Sequence, residues 1–496
     1  MKSFLFNRFS KGSSFQSSKG FLIVQILVFS TVAMLIISSV ITWTGNSLRD
    51  ARYVVDREKA FYIAEAGIEY YRWHLAHAQT DFQDGTATSG PYIHPYYDAD
   101  GKQIGVFELT ITPPPVGSTI VTIVSKGVFG STTISRSIEA KLAIPSLAKY
   151  AFVANDVMRF GEGTEVFGAL HSNGGIRFDG LAHNVVTSAQ SSYDDPDHSG
   201  AVEFAVHTHV NAPPGSGTND TFRAAEAPAS AVPSRPDVFE VGRQFPVPAV
   251  DFNGFTSDLA SLKTKAQAGG RYFPASGYSG YRVVLKTNDT FDLYRVTSLV
   301  NPSNSCRSNS QPSPAGNWGT WSINNQTFLA NYAFPTNGIL FLEDHVWVQG
   351  TVDGARLTIA SGRFPESAST NTHITVNSDL NYTNFDGSDV VALVAQGDIN
   401  VGMVSDDVLD IDAALLAKNG RAGRYYYSSS CNPYHNRSTL NLYGMLGSNN
   451  RYGFAYTDGT GYDTRSITYD ANLLYGPPPD FPLASDEYST ISWREL

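Results

Sequence analysis

The N-terminal segment constrains the fold of this chain more than any other feature. Residues 1–20 contain four Lys or Arg and no acidic residue, and an uncharged apolar run follows from Phe21 to about Trp43. A run of about 20 or more apolar residues can cross a bilayer as a helix, and an ordinary secretory signal has a shorter apolar region. The basic flank places the N-terminus on the cytoplasmic side. The sequence therefore predicts a single-pass helix.

The helical pattern continues beyond the apolar run. Apolar residues recur there at spacings of three and four, with charged residues at other positions: Phe61, Ala64, Ile68, Tyr71 and Leu75. This periodicity predicts an amphipathic continuation of the same helix. An unbroken helix from Phe21 to about Ala76 would be about 80 Å long at 1.5 Å per residue. That length exceeds what a membrane anchor requires.

Two stretches resemble a known family. The segment KGFLIVQILVFSTVAML resembles the N-terminus of type IV prepilins, and REKAFYIAEAGIEYYRW is similar to the corresponding helix of PilX- and K-type minor pilins. The resemblance implies that a membrane prepilin peptidase cuts after Gly20 and that the new amino group of Phe21 is methylated. An uncleaved signal-anchor helix explains the charge asymmetry equally well, but it does not explain the second stretch.

The resemblance also implies partners and a location. The partners are other pilins and minor pilins, the prepilin peptidase and the inner-membrane pilus assembly machinery. Before assembly the chain would lie in the bacterial cytoplasmic membrane with its N-terminus inside. After assembly it would lie in an extracellular filament at the cell surface.

Gln25 departs from the pattern of the family, in which most members have Glu as the fifth mature residue. The resemblance implies that this carboxylate meets the charged N-terminus of a neighbouring subunit within an apolar filament core. Gln25 can form a hydrogen bond but supplies no charge, and an unpaired buried ammonium is costly. We therefore expect a minor subunit at or near the filament tip. The residues assigned to filament assembly are Phe21, Gln25, Phe61 and Ile68.

The remainder of the chain predicts mostly β structure. Residues 1–20 are the leader, 21–79 the helix, and 80–146 a small β domain that begins with a Gly/Pro/Tyr-rich loop to about Lys102. In this domain, alternating residues around 119–124 and 133–138 indicate two strands. Gly127 and Gly130 suit the turn between them.

Short apolar pieces separated by Gly, Asn and Asp then recur about every nine or ten residues in 147–190, and the pattern returns in 337–496. This spacing fits a β-solenoid or a sandwich, and periodicity alone does not separate the two. The Gly-rich turn at Gly350–Ala360 and the closing PPPDFPLASDEYSTISWREL are similar to parallel β-helix-like domains attached to pilin-like N-termini, and this resemblance covers residues 150–190 and 337–496. The resemblance implies an α+β fold class with a right-handed parallel β-helix head. Residues 191–336 include APPGSGTND and predict an irregular insertion or a subdomain.

Composition excludes some functions. The net charge is -11, from 35 Lys or Arg against 46 Asp or Glu, so no nucleic-acid partner is expected. The two cysteines, Cys306 and Cys431, form the one available disulfide pair, and two unlinked thiols are the alternative.

Few side chains are spaced so that they could bind a metal or catalyse a reaction. His207 and His209 would share one face of a strand, but the sequence offers no clear third ligand, so no metal or cofactor is expected. Asp410 and Asp412 could share a face like the acids of polysaccharide-cleaving β-helices, although acid/base chemistry also needs a defined separation and a cleft. We found no nucleotide-binding or hydrolase motif in the sequence, and no catalytic activity is expected.

These observations predict a minor, tip-located subunit of a type IV pilus or related pseudopilus that contributes to filament assembly and surface adhesion. A surface glycan or a host-cell ligand is the expected target of the head. The alternative is a membrane-anchored polysaccharide-binding or polysaccharide-cleaving β-helix protein.

Overall fold

The computed structural model describes residues 19–115, 117–130, 134–252, 255–306, 319–485 and 487–496. A long N-terminal helix is followed by a mostly β chain, which is the α+β class that the sequence predicts. The chain divides into two compact units. The first contains the helix and residues up to Ile111, with Ile123–Ala140 and Ser492–Leu496, and the second contains Thr112–Thr122 and Lys141–Ile491.

Helix α1 spans Lys19–His77 without interruption. Its apolar N-terminal half is exposed throughout, whereas one face of its C-terminal half is buried in the first unit, through Ala60, Ile63, Ala64, Ile68, Tyr71 and Leu75. The predicted stripe therefore agrees with the buried face except at Phe61, which is half-buried. The helix ends at His77, and the Tyr71 hydroxyl donates to the Asp81 carbonyl over 2.8 Å, which ties the following residues to the helix.

The first unit places α1 on a small sheet. Its strands are β1 (Tyr92–Tyr97), β2 (Gln103–Thr112), β3 (Val121–Phe129) and β4 (Ser135–Ala143). Strand β1 lies inside the stretch predicted as a loop, and it pairs antiparallel with β2.

The predicted turn at Gly127 is wrong, because Gly127 lies within β3. A Cβ at this position would lie 2.1 Å from the Ala60 carbonyl oxygen and 2.4 Å from the Ala64 nitrogen, both in the helix backbone. Glycine at this position therefore lets the helix and the sheet approach closely. Gly130 does follow the strand, with a φ of +64°.

The second unit is built mainly from short strands. In chain order they are β5 (Phe152–Ala154), β6 (Met158–Phe160), β7 (Thr164–Phe167), β8 (Leu170–Ser172), β9 (Ile176–Phe178), β10 (Leu181–Ala182), β11 (Val186–Ser188), β12 (Ser192–Tyr193), β13 (Glu203–Phe204), β14 (Val206–His207), β15 (Arg243–Gln244), β16 (Arg271–Phe273), β17 (Gly280–Lys286), β18 (Thr290–Leu299) and β19 (Ile323–Ala333). They continue as β20 (Ile339–Leu342), β21 (Val346–Val352), β22 (Arg356–Ser361), β23 (Ile374–Thr375), β24 (Leu380–Tyr382), β25 (Val390–Ala395), β26 (Ile399–Val401), β27 (Val408–Ala417), β28 (Ala422–Arg424), β29 (Asn436–Ser448) and β30 (Gly461–Tyr469). A second helix, α2, spans Phe255–Gly269.

Of the described strands, 21 form one large and mostly parallel sheet. Its register stacks buried apolar side chains on one another from strand to strand, in the order Leu340, Ile359, Leu393, Leu415, Leu446, Phe152, Leu170 and Val186. All eight are buried. The early strand β5 pairs with the late strand β29, so the two predicted β segments belong to one sheet although their strands are not stacked in chain order.

The segment 191–336 differs in part from the predicted irregular insertion. Strands β17, β18 and β19 form an antiparallel meander, and β17 joins the large sheet by pairing parallel with β21. Side chains of α2 pack on the same sheet, with Leu259 and Leu262 in a core that contains Phe341. The part from 191 to about 250 does have only two-residue strands.

Two further features tie distant parts of the chain together. Strand β31 (Ser489–Glu495) is the neighbour of β4 in the small sheet, a pairing that the sequence analysis did not predict. Within the second unit, Cys306 and Cys431 form a disulfide in a core that contains Trp321.

Candidate functional sites

The exposed apolar half of α1 is the first candidate site. Among the described residues it is the one helix long and apolar enough to cross a membrane. The Phe21 side chain is 63% exposed, and Gln25 is also exposed. Such a large apolar surface needs cover from lipid or from other helices. Gly20 lies in the first turn of the helix.

Phe61 and Ile68, predicted to act in assembly, both pack within the first unit. Ile68 is almost fully buried. The half-buried Phe61 ring meets the Trp493 ring edge-on with centroids 5.9 Å apart. Both side chains therefore help to hold the helix on its own sheet, and their role in filament assembly stays a prediction.

A cleft of about 430 Å³ on the large sheet is the second candidate site. Asp410 and Asp412 both line it, as predicted for residues two apart on a strand, together with Asn381, Tyr382, Phe385, Asn441, Leu442, Tyr443, Ser466 and Thr468. The Phe385 ring is 54% exposed and meets the Tyr443 ring edge-on at 4.9 Å.

The two acids of this cleft differ in their surroundings. Asp412 is buried, and its Oδ2 accepts the Tyr382 backbone N–H over 2.9 Å. Burial raises the pKa of Asp412 to about 6, with repulsion from Asp410 and Asp379 adding to the shift. Asp410 is only partly buried and accepts the Asn441 side-chain amide over 2.8 Å. Asp412 therefore keeps its proton to a higher pH than an ordinary carboxyl group, and the neighbouring Asp410 is more accessible to solvent.

A buried cluster of histidines and acids in the second unit is the third candidate site. His207 and His209 are joined there by Asp195 and Glu203, and one ligand atom from each of the four lies within 4.8 Å of the others. Asp195 follows β12, Glu203 lies in β13, and His207 ends β14. Strand β14 pairs parallel with β9 of a three-stranded sheet, which fixes the position of His207.

The centre of this cluster is the Glu203 Oε2 atom. It lies 3.1 Å from His207 Nε2, 3.3 Å from His209 Nε2 and 2.9 Å from His198 Nε2. Asp195 Oδ2 lies 3.5 Å from His207 Nε2. These five side chains are almost fully buried.

The charges of the cluster strongly perturb its acids. Burial alone would raise the pKa of Asp195, but the adjacent His207 and the Asp197 backbone N–H outweigh burial and lower it to about 2. For Glu203, His207 and His209 likewise outweigh burial and lower the pKa. Both acids therefore remain ionised in the folded protein.

Comparison with solved structures finds a pilin among the structural neighbours of the chain. The chain is similar to the crystal structure of the competence-associated pilin ComZ from Thermus thermophilus, with 15% identity and a TM-score of 0.30 over 89% of this chain and 97% of that chain. At this level the likeness by itself assigns neither fold nor function. No protein-family model matches the sequence, and no curated protein matches it.

The sequence analysis found His207 and His209 but not their acidic partners. A signal was present, because Asp195, His198, Glu203, His207 and His209 fall within one short stretch of a chain with only 16% charged residues. Their separations follow no standard ligand spacing, since the segment that holds them is neither a regular helix nor a long strand.

Proposed function

We propose that the chain is a minor subunit of a type IV pilus or related pseudopilus and has no catalytic step of its own. The observation that carries the proposal is the continuous helix α1, whose apolar half is exposed while its other half is anchored on the small sheet. A membrane span needs only about 20 residues, whereas α1 has 59. The prepilin-like sequence around Gly20 and Phe21 supports the same function.

Physical chemistry explains how one helix can serve both membrane and filament. Lipid tails and apolar side chains are equivalent partners for the exposed half of α1, so exchanging lipid for neighbouring helices costs little. The helix has no internal break, and its C-terminal half is packed on strands of its own unit. Movement of α1 out of the membrane therefore carries the attached β structure with it.

The finer features of the proposal rest on single residues and on strand pairing. Gln25 lacks the charge expected of a repeating subunit, which favours a place at or near the filament tip. Parallel strands stacked in register over many layers support a solenoid form of the head. We further propose that the head contacts a surface glycan or a host-cell ligand.

Mass spectrometry of protein recovered from sheared surface filaments tests the assembly. We expect a mature N-terminal peptide that begins with methylated Phe21, at far fewer copies than the major subunit. Gly20→Val should block cleavage and remove the protein from the filament fraction. Gly45→Ala is the matched control, because a Cβ at Gly45 meets nothing within 4 Å. A native chain that keeps residues before Gly20 and never enters the sheared fraction would refute the proposal.

Copy number along the filament tests the tip position separately. Immunogold labelling should find the unmodified protein at filament ends, and Gln25→Glu should move part of it into the shaft. Abundant labelling along the shaft without the substitution would contradict the tip position while leaving the assembly role intact.

The cleft at Asp410 and Asp412 favours polysaccharide binding or cleavage as a second candidate function. An exposed aromatic ring beside two carboxyl groups suits a sugar ring, and the pKa of Asp412 is raised in the direction expected of a general acid. The full-length protein should be incubated with polysaccharides and assayed for new reducing ends. Cleavage that is abolished by Asp410→Asn or Asp412→Asn, but not by Asp289→Asn at an exposed turn, would establish this function in place of a purely structural role.

A further inference from the structure

We propose that Asp195, Glu203, His207 and His209 form a buried site for one divalent transition-metal ion, best suited to zinc. The ion would fasten the irregular segment from about 191 to 223 onto the head. This site adds a structural cofactor to the subunit and does not depend on the pilus assignment.

The distances fit a shared ion. A metal bonded to His nitrogen and carboxylate oxygen at about 2.0–2.1 Å in a tetrahedral arrangement separates neighbouring ligand atoms by about 3.3 Å. Glu203 Oε2 lies 3.1 Å from His207 Nε2 and 3.3 Å from His209 Nε2, and Asp195 Oδ2 lies 3.5 Å from His207 Nε2. These three contacts are close to the edge length of such a tetrahedron, and all four ligand atoms lie within 4.8 Å of one another.

Both imidazole rings are oriented as metal ligands usually are. His207 Nδ1 lies 3.1 Å from the Phe204 carbonyl, and His209 Nδ1 lies 2.6 Å from the Asn219 carbonyl. A carbonyl oxygen only accepts, so each Nδ1 carries a proton, and Nε2 is the nitrogen of each ring that would bind a metal. A backbone carbonyl behind the ring is the common outer partner of a metal-bound histidine.

Each carboxylate is also held by a backbone group behind it. Asp195 Oδ1 accepts the Asp197 backbone N–H over 3.0 Å, and Glu203 Oε1 accepts the Arg223 backbone N–H over 2.7 Å. The second oxygen of each acid is thereby directed into the cluster.

Two atoms directed into the cluster have no hydrogen-bond partner among the described residues. They are His207 Nε2 and Asp195 Oδ2, and both are buried. Leaving a buried polar atom unpaired costs free energy, and a metal ion bound by both atoms, which lie 3.5 Å apart, would remove that cost.

Charge balance favours a divalent ion at this point. Carboxylates that bind a metal are ionised and imidazoles that bind a metal are neutral, so this donor set would supply two negative charges to one divalent cation. The fully buried Arg177 lies beside the site, where its Nε donates to Asp179 Oδ2 over 2.7 Å and its Nη1 lies 3.8 Å from Asp195 Oδ2.

His198 acts as a positioning residue in this arrangement. Its Nε2 lies 2.9 Å from Glu203 Oε2, where its N–H would hold the carboxylate toward the ion. Its ring centroid lies 5.0 Å from that of His209. We expect His198→Ala to weaken metal binding without abolishing it.

The donor set selects the ion and its role. Calcium and magnesium prefer oxygen ligands only, whereas paired imidazole and carboxylate ligands suit zinc and its neighbours. The ligands are buried on all sides, so the site leaves no open position for a substrate. Metal binding would instead stabilise a segment whose strands are only two residues long.

Metal content of the full-length protein tests the proposal. The protein should be purified in detergent through a C-terminal streptavidin-binding tag and analysed by inductively coupled plasma mass spectrometry. We expect about one equivalent of zinc per chain, falling below about a tenth in His207→Gln/His209→Gln. His183→Gln is the matched control, since His183 also lies beside an acid, with its Nδ1 2.8 Å from Glu240 Oε2, but outside the cluster.

A second measurement on the unmodified chain covers the case in which the variant fails to fold. A strong chelator should lower the Tm of the wild-type protein, and added Zn²⁺ should restore it. Co²⁺ in place of zinc should give the visible absorption of a four-coordinate site. A wild-type protein without bound metal and without a Tm response to Zn²⁺, Co²⁺ or Mn²⁺ would overturn the proposal, as would full metal content in a folded double variant.

Discussion

Gly127→Ala tests the close contact between α1 and the small sheet. The new Cβ would lie 2.1 Å from the Ala60 carbonyl oxygen and 2.4 Å from the Ala64 nitrogen, and ordinary contact begins at 3.4 Å. Neither atom can move alone, because both belong to the helix backbone. The helix must therefore withdraw from β3 by about 1 Å, which forfeits a quarter to a half of the local dispersion energy.

The expected cost lies at the upper end of overpacking, about 3 kcal/mol. This loss of stability should speed amide exchange in the peptides that cover residues 60–77 and 121–129. The rate should rise by about 100-fold for those amides that exchange only when the first unit opens. Hydrogen–deuterium exchange with mass spectrometry measures this directly in detergent.

Lys126→Ala, one residue away on the exposed face of β3, is the control. It should change exchange little, because surface substitutions usually stay within about 0.5 kcal/mol. Exchange in Gly127→Ala within two-fold of the wild type would refute the close packing of α1 on β3.

The second unit supplies two further predictions. Since the folded pKa of Asp412 is raised to about 6, the folded state holds its proton more tightly than the unfolded state, so stability should fall as pH rises from about 4 to 6. Asp412→Asn should remove this fall and raise the free energy of unfolding at pH 7 by about 1–3 kcal/mol. Chemical denaturation of both proteins at pH 5 and 7 measures this. The same change in unfolding free energy between the two pH values in wild type and variant would contradict the raised pKa. Cys431→Ser opens a link between residues separated by 125 positions and should cost about 2–4 kcal/mol in the oxidised protein, with no such loss when wild type and variant are compared under full reduction.

The helix could be predicted from the sequence because its determinants are local. Ala64, Ile68, Tyr71 and Leu75 lie on one helical face whatever they pack against, and the uncharged run before them has one stable form in lipid. The role of Gly127 could not be predicted in this way. Its place inside a strand depends on how closely a distant helix approaches, and the residues around it also fit a turn.

In the candidate sites too, the features set by local spacing could be predicted and those set by distant contacts could not. Asp410 and Asp412 share a face because they are two residues apart on one strand, so their common cleft follows from local spacing. The acids that join His207 and His209 depend on the path of an irregular segment between β12 and β14. Parallel pairing over long separations, such as Leu446 with Phe152, likewise leaves no local trace in the sequence.

The return of β31 to the small sheet makes the order of folding matter. This strand is the edge neighbour of β4, yet hundreds of residues separate the two along the chain, so the sheet stays one strand short until residues 489–495 are in place. A product that stops before residue 489 would lack this strand and would leave Phe61 without the Trp493 ring beside it. The sheet that holds the helix is therefore complete only when the last strand has been synthesised.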